Sequence, residues 1–276
     1  MTTAVIRPTQ SIAGYTGPSR KMPFLVQVWM MSRRSLVTMF RDPAAIIPGL
    51  ILGVFFLVIY EASLGGAAQF FLRGQSYLGF ILPLSVISTA LSGAGIAGQA
   101  VIRDIDSGYF DKLLLTPISR AALLLAPMIA AALVLVLQSS AVVVVGILLG
   151  LEPATGWLGV LTLLGYALLI GVALAGLIVG IALRTNSASA TSGASFLFFP
   201  LTFLTATFTP KELLTGWLKV AAQWNPITYI LEACRSLLNI GWEPQVLFTG
   251  LWVSLVVCVI TFAFAYFSLR ARTQRR

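Results

Sequence analysis

Six stretches of this chain contain no Asp, Glu, Lys or Arg and are long enough to cross a bilayer: Pro43–Tyr60, Gly74–Ile102, Ala121–Leu151, Pro153–Leu183, Thr185–Pro210 and Pro244–Leu269. A spanning helix needs about 20 mostly apolar residues. The pattern therefore predicts an all-α integral membrane protein with six transmembrane helices. Other uncharged runs, such as Pro8–Ser19 and Ala221–Leu231, are too short to cross. The first span starts only after residue 42, which argues against an N-terminal signal peptide.

Three further segments have helical spacing but are interrupted by charge. In "MPFLVQVWMMSRRSLVTMFRD", Gln27, Arg34 and Arg41 recur every seven residues, and Phe24, Val28, Met31 and Met39 cover the remaining surface. This predicts an interfacial amphipathic helix over about 22–41 on the inner leaflet, stopped at Asp42-Pro43. It divides the chain into a cytosolic N-terminal segment, 1–42, and a six-helix membrane domain, 43–276. The second segment is "IRDIDSGYFDKLLLTPISR", Ile102–Arg120, between spans two and three. At about 100° per residue, Ile102, Ile105, Tyr109 and Leu113 form one stripe, with Asp104, Ser107, Gly108, Asp111 and Lys112 opposite. One amphipathic helix ending near Thr116-Pro117 is expected there. The third, Thr209–Trp242, reads as two short helices split at Asn225-Pro226, too short to span and lying on or dipping into the outer surface. Glu232 and Arg235, three residues apart, can pair on one helical face.

Composition agrees with this pattern. Apolar residues make up 58% of the chain, charged residues 10%, and the mean hydropathy is +0.94. The net charge of +9 does not indicate nucleic acid, because the basic residues sit at the ends of apolar runs instead of forming one patch. Fourteen Lys and Arg fall on the side of the termini and the Ile102–Arg120 segment, and four (Arg73, Lys211, Lys219, Arg235) on the other. That asymmetry places both termini in the cytoplasm, with Trp157, Trp217, Trp224 and Trp242 near the outer interface.

Several chemistries are excluded or weakened. There is no histidine, and Cys234 and Cys258 have no metal-ligand or disulfide spacing, so no metal site is expected. "GAGIAG", Gly93–Gly98, matches a dinucleotide fingerprint but lies inside a span, where small residues serve close helix packing. The spacings Gly49/Gly53, Gly146/Gly150 and Gly176/Gly180 have the same reading. No phosphate-binding loop of the form G-x-x-x-x-G-K-[ST] occurs, so the chain does not bind ATP by that route. A Mg-dependent membrane lipid transferase would need converging carboxylates, yet on one helix Asp106 points about 160° from Asp104 and about 140° from Asp111. An ion-coupled secondary transporter usually holds charged groups in its spans. Here the predicted cores have none, and Glu61 lies only at the outer end of the first. No catalytic residue is expected.

The Ile102–Arg120 segment also resembles the cytosolic coupling segment of ABC type-2 exporter permeases, E-x-E-x-G-T-L-E-x-L-L-x-T-P-x-S-R. Asp104, Asp106, Gly108, Phe110, Asp111, Leu113, Leu114, Thr116, Pro117 and Arg120 match it in position and character. Aspartate replaces glutamate three times, and Tyr109 stands where threonine is common. "WNPITYILEACRSLL" resembles the family element N-P-x-T-Y-x-x-E-x-x-R-x-x-L through Asn225, Pro226, Thr228, Tyr229, Glu232 and Arg235. "TFTPKELLTGWLKV" resembles the stretch leading into the family's outer re-entrant helices.

The resemblance implies a plasma-membrane export permease working with a second permease copy or a paralogue. Two separate ATP-binding-cassette subunits would carry ATP and Mg, and this chain would bind no cofactor itself. Asp104, Asp106, Ser107, Gly108, Phe110, Asp111, Lys112, Thr116 and Pro117 would dock the ATPase. Asn225, Pro226, Tyr229, Glu232 and Arg235 would form a structural or gating outer element. The cargo would be a hydrophobic drug, a lipid or a lipid-linked glycan, and membrane lipids would be the other partners.

Overall fold

A computed structural model describes residues 22–68, 72, 75–205 and 214–274. Arg7, Arg20, Lys21, Arg73, Lys211, Arg275, Arg276 and the 207–213 part of "TFTPKELL" lie outside these described residues. The elements, in order, are α1 (Phe24–Phe40), α2 (Pro43–Ala68), α3 (Tyr77–Asp106), α4 (Tyr109–Leu114), α5 (Arg120–Leu148), α6 (Gly156–Thr185) and α7 (Ala188–Phe203). After these come α8 (Gly216–Trp224), α9 (Pro226–Arg235), a π-helical turn (Ser236–Ile240) and α10 (Pro244–Gln274). No strand occurs among the described residues.

Among the described residues five helices are long and apolar enough to cross a membrane: α2, α3, α5, α6 and α10. They coincide with five of the six predicted spans. The first runs on past Tyr60 to Ala68, which places Glu61 within the helix. The remaining predicted span, Thr185–Pro210, contains α7, a helix of 16 residues. At 1.5 Å per residue it covers roughly 24 Å, short of the ~30 Å hydrocarbon core. Ser187 caps its start, the Oγ accepting from the Ala190 N–H at 3.2 Å.

The spans are not equivalent. The apolar window of α3 is 82% buried, while those of α2 and α10 are 17% buried. α3 is thus the axial helix, and α2 and α10 present most of their surface outward. The packed interior has two halves. One surrounds Leu57, Ile81, Leu82, Leu163, Leu231 and Leu237. The other surrounds Met39, Val101, Phe110, Leu124, Val179 and Leu269.

Helices approach closely at several of the small-residue spacings, although Gly150 of the Gly146/Gly150 pair lies past the end of α5 with φ of 99° and nothing within 4 Å of an added Cβ. A Cβ at Gly53 would meet the Thr89 Cγ2 of α3 and, at 3.3 Å, the Ser85 carbonyl and Val142 Cγ2. In the "GAGIAG" stretch, Gly98 faces Thr191 of α7 and Ile178 of α6. The failed dinucleotide motif is therefore a three-helix contact. Such contacts replace the hydrophobic drive, which lipid does not supply between helices.

α1 is helical as expected, but its polar stripe turns inward. Gln27 is buried, its amide N donating to the Met22 carbonyl at 2.7 Å and its Oε1 accepting from the Ser119 N–H at 2.8 Å. Leu25, Trp29 and Met30 are instead exposed, by 78%, 67% and 54%. A helix with this arrangement rests its apolar face on lipid and its polar face on the protein. Periodicity reveals two faces, but not which of them meets the rest of the chain.

Gly53→Leu should force α2 off α3 and lower stability by about 1–3 kcal/mol. Gly66→Leu, on the same helix but with nothing within 4 Å of the added Cβ, should leave it nearly unchanged. Thermal melting of the two purified variants in detergent checks this.

Candidate functional site

The segment between α3 and α5 is divided, where one helix was expected. α3 continues out of its span to Asp106, and the chain then turns at Gly108, with φ of 69°. This left-handed region suits glycine, which has no Cβ penalty there. The Gly108 N–H donates to the Ile105 carbonyl at 3.0 Å, closing α3, and its carbonyl accepts from the Lys112 N–H at 3.3 Å, opening α4. At the far end Thr116 Oγ1 donates to the Leu113 carbonyl at 2.6 Å, and Ser119 Oγ accepts from the Ala122 N–H at 3.1 Å to start α5. Asp-Ser-Gly is thus a helix stop. The bare Gly108 first serves the chain's own turn, although nothing lies within 4 Å of where its Cβ would be.

The division sorts the predicted docking residues. Asp106, Ser107, Lys112, Thr116 and Pro117 are exposed, and Asp104, Gly108 and Asp111 are half-buried. Phe110 is buried in the inner core with Ile102, Ile105 and Leu113, so it seats α4 and does not face the cytosol.

Asp104 is already engaged. Arg34 of α1 grips it with both terminal nitrogens, Nη2 to Oδ1 at 2.8 Å and Nη1 to Oδ2 at 3.0 Å. The same guanidinium lies over the Tyr109 ring at 3.9 Å. The hydrogen bond to Asp104 holds the Arg34 pKa above its ordinary value. Beside it, Arg103 reaches Asp42 at 3.0 Å. With Gln27 on Ser119, α1 therefore contacts both ends of the break. Each exposed pair alone contributes about 0.2–1 kcal/mol, but a fork geometry spanning α1, α3 and α4 fixes their relative placement. Sequence spacing exposes Arg34 only as part of a polar stripe. Its partner is 70 positions away.

The outer element is two short helices split at Asn225-Pro226, as the spacing predicts. Asn225 caps α9, its Oδ1 accepting from the Ile227 N–H at 3.0 Å, while its Nδ2 donates to the Leu204 carbonyl at 3.3 Å. Pro226 fills the first helical turn, where a missing N–H costs nothing. Tyr229 OH donates to the Gln223 carbonyl at 2.8 Å, tying α9 back to α8.

Arg235 is buried, and Glu232, half-buried one turn earlier, supplies a neighbouring negative charge. The Arg235 guanidinium stacks on the Phe80 ring at 3.5 Å, and its Nε donates to the Phe80 carbonyl at 2.9 Å. Asn239, on the π-helical turn, donates to the Ser76 carbonyl at 3.1 Å. Thr155 donates to the Leu237 carbonyl at 2.7 Å. The element is thus fastened to the outer start of α3 and to the α5–α6 connection. Phe80, Asn239 and Thr155 carried no motif that could have singled them out.

The residues described from α1 to the π-helical turn match a family model described as "ABC-2 type transporter", over residues 26–239. The chain belongs to the ABC-2 type transporter family. Among this permease's relatives is the daunorubicin resistance ABC transporter permease protein DrrB1 of Streptomyces coeruleorubidus, 25% identical over 85% of this chain and 79% of the relative. The "Probable doxorubicin resistance ABC transporter permease protein DrrC" of Mycobacterium tuberculosis is 23% identical over 77% of this chain and 76% of its own. The ycf38 protein of Cyanophora paradoxa, named only as a transport permease, is 24% identical over 78% of this chain and 74% of its own. The permease is the membrane subunit of an ABC transporter, and the matched region takes in both the Ile102–Arg120 segment and the α8–α9 element.

Arg235→Lys keeps the charge but loses the planar stack on Phe80. It should lower the melting free energy by about 1–2 kcal/mol and leave membrane insertion intact, as measured by thermal unfolding beside membrane abundance.

Proposed function

We propose that this permease forms half of an export pathway driven by ATP hydrolysis on two separate ATP-binding-cassette subunits. A second permease, a copy or a paralogue, supplies the other half. The family match is the observation that carries this reading. The absence of a phosphate-binding loop from the full sequence supports placing ATP and Mg on the partners and no cofactor on this chain. α7 takes the place of the sixth span, and the basic-residue asymmetry supports both termini on the cytosolic side of the plasma membrane.

The cargo is a hydrophobic drug, or a lipid or lipid-linked molecule of similar surface. Two relatives named for daunorubicin and doxorubicin resistance support the drug. An ion-driven cycle has less to work with. Glu61 is the one acidic group within the apolar part of the described spans, and among the described residues no three acidic or cysteine side chains converge on a metal-sized site.

Docking of the ATPase uses the exposed side of the cytosolic break, centred on Asp106, Ser107 and Lys112, with Thr116 and Pro117 at its edge. Charge-assisted hydrogen bonds there are worth about 1.5–3 kcal/mol each when well formed. Asp104 works one layer behind. Held by Arg34, it passes a displacement of α4 to α1 and α3 together. Phe110 acts as the buried pivot of α4.

Asp106→Arg combined with Lys112→Glu should abolish both co-purification of the ATPase subunit and transport, while membrane abundance stays at the unmodified level. Retention of full assembly and full transport by the double variant would remove the docking site from this segment. ATP turnover by the purified permease alone would overturn the division of labour.

A further inference from the structure

Between α6, α10 and the joint of α8 with α9 lies a cavity of about 340 Å³. Leu174 and Leu177 of α6, Val257 of α10, and Ile227 and Ile230 of α9 form its walls. Its volume falls in the range of sites that hold a ligand, roughly 300–1,000 Å³. Nothing in the proposed docking or transport roles uses it.

The few polar residues on the lining close their hydrogen bonds within the protein. Ser254 Oγ donates to the Gly250 carbonyl at 2.7 Å. Thr261 Oγ1 donates to the Val257 and Cys258 carbonyls at 3.0 and 3.1 Å. Asn225 is engaged with Ile227 and Leu204. Among the described residues no charged side chain lines the space. Water needs two to four polar partners to stay in such a cavity, whereas an apolar cavity stays dry and takes up hydrocarbon. The occupant is therefore recognised by shape and apolar contact alone.

The neighbourhood narrows the choice. On the outward side of α10, Phe248, Trp252, Val259 and Ile260 are exposed by 68%, 61%, 68% and 62%. α10 is one of the apolar spans, so that face meets lipid chains. A cavity on its inner side, with Trp224 exposed at the rim, borders the same lipid. We infer that one phospholipid acyl chain occupies this cavity and wedges beneath the Asn225-Pro226 joint, holding α8 and α9 against α6 and α10. This inference rests on the chain lying in a bilayer and is independent of which cargo it moves.

The test uses the full-length permease in vesicles of phosphatidylethanolamine and phosphatidylglycerol. These carry a trace of phosphatidylcholine with a diazirine at the end of one acyl chain. Photolysis should label peptides containing Leu174 and Ile227, and one phospholipid per chain should survive detergent extraction in native mass spectrometry. Val257→Trp, which fills the cavity from α10, should lose both signals while labelling at lipid-facing Val259 persists. Leu174→Trp fills it from the opposite wall and should behave the same way, with melting curves showing that each variant is folded. Added daunorubicin should change nothing. The inference is overturned if the unmodified chain shows no label at Leu174 and Ile227, a result that depends on no variant. It is equally overturned if folded cavity-filling variants keep the label, or if daunorubicin displaces the lipid and so makes the cavity a cargo site.

Discussion

A single arginine ties together the three helices around the Gly108 turn. Arg34 on α1 holds Asp104 at the end of α3 through two hydrogen bonds, and its guanidinium covers Tyr109 at the start of α4. Between those contacts the backbone reverses at Gly108 in the left-handed region. A six-residue helix such as α4 has no stability of its own. It keeps its position because Phe110 is buried in the inner core and because Arg34 spans the hinge. The arginine adds a side-chain tie across the exposed turn that joins α3 to the short α4. With it, α4 is joined by side-chain contacts to α1, which exposes Leu25, Trp29 and Met30, and to α3, the most buried span.

The far side of the molecule repeats this arrangement in a different chemistry. Arg235 fastens the outer helices to the start of α3 through the Phe80 ring and carbonyl. Its environment is buried, and stacking and a carbonyl bond act there beside the neighbouring charge of Glu232. Both arginines therefore act on opposite ends of one axial helix. That helix is packed on nearly all sides, and packed interiors transmit strain instead of absorbing it. The proposed mechanism carries a displacement from the Gly108 turn to the α8–α9 element along α3.

How much of this was legible in the sequence follows from the kind of signal each feature leaves. Hydropathy outlines five spans because the bilayer imposes length and composition on each separately. The split at Asn225-Pro226 is local turn chemistry and is equally readable. The motif at Ile102–Arg120 locates the cytosolic segment, but a uniform helical projection carries it straight through Gly108, where the backbone turns. The stripe of Gln27 and Arg34 shows that α1 is two-faced, yet pairing with Ser119 and Asp104 bridges 92 and 70 positions and leaves no periodic trace. Phe80 offers a carbonyl and a ring, both invisible to any search for functional residue types. What was hidden is in each case tertiary: which face turns inward, and which distant backbone it meets.

The most direct test of the central claim is a double-mutant cycle on Arg34 and Asp104, read as ATP-driven cargo transport by the assembled transporter, with ATPase-subunit binding measured alongside. If the pair transmits the push across the hinge, Arg34→Ala and Asp104→Ala should each keep the ATPase subunit bound and lose transport. Their combination should be no worse than either alone, and the exchange Arg34→Asp with Asp104→Arg should restore part of the loss. Losses that simply add, or full transport in both single variants, would contradict the account.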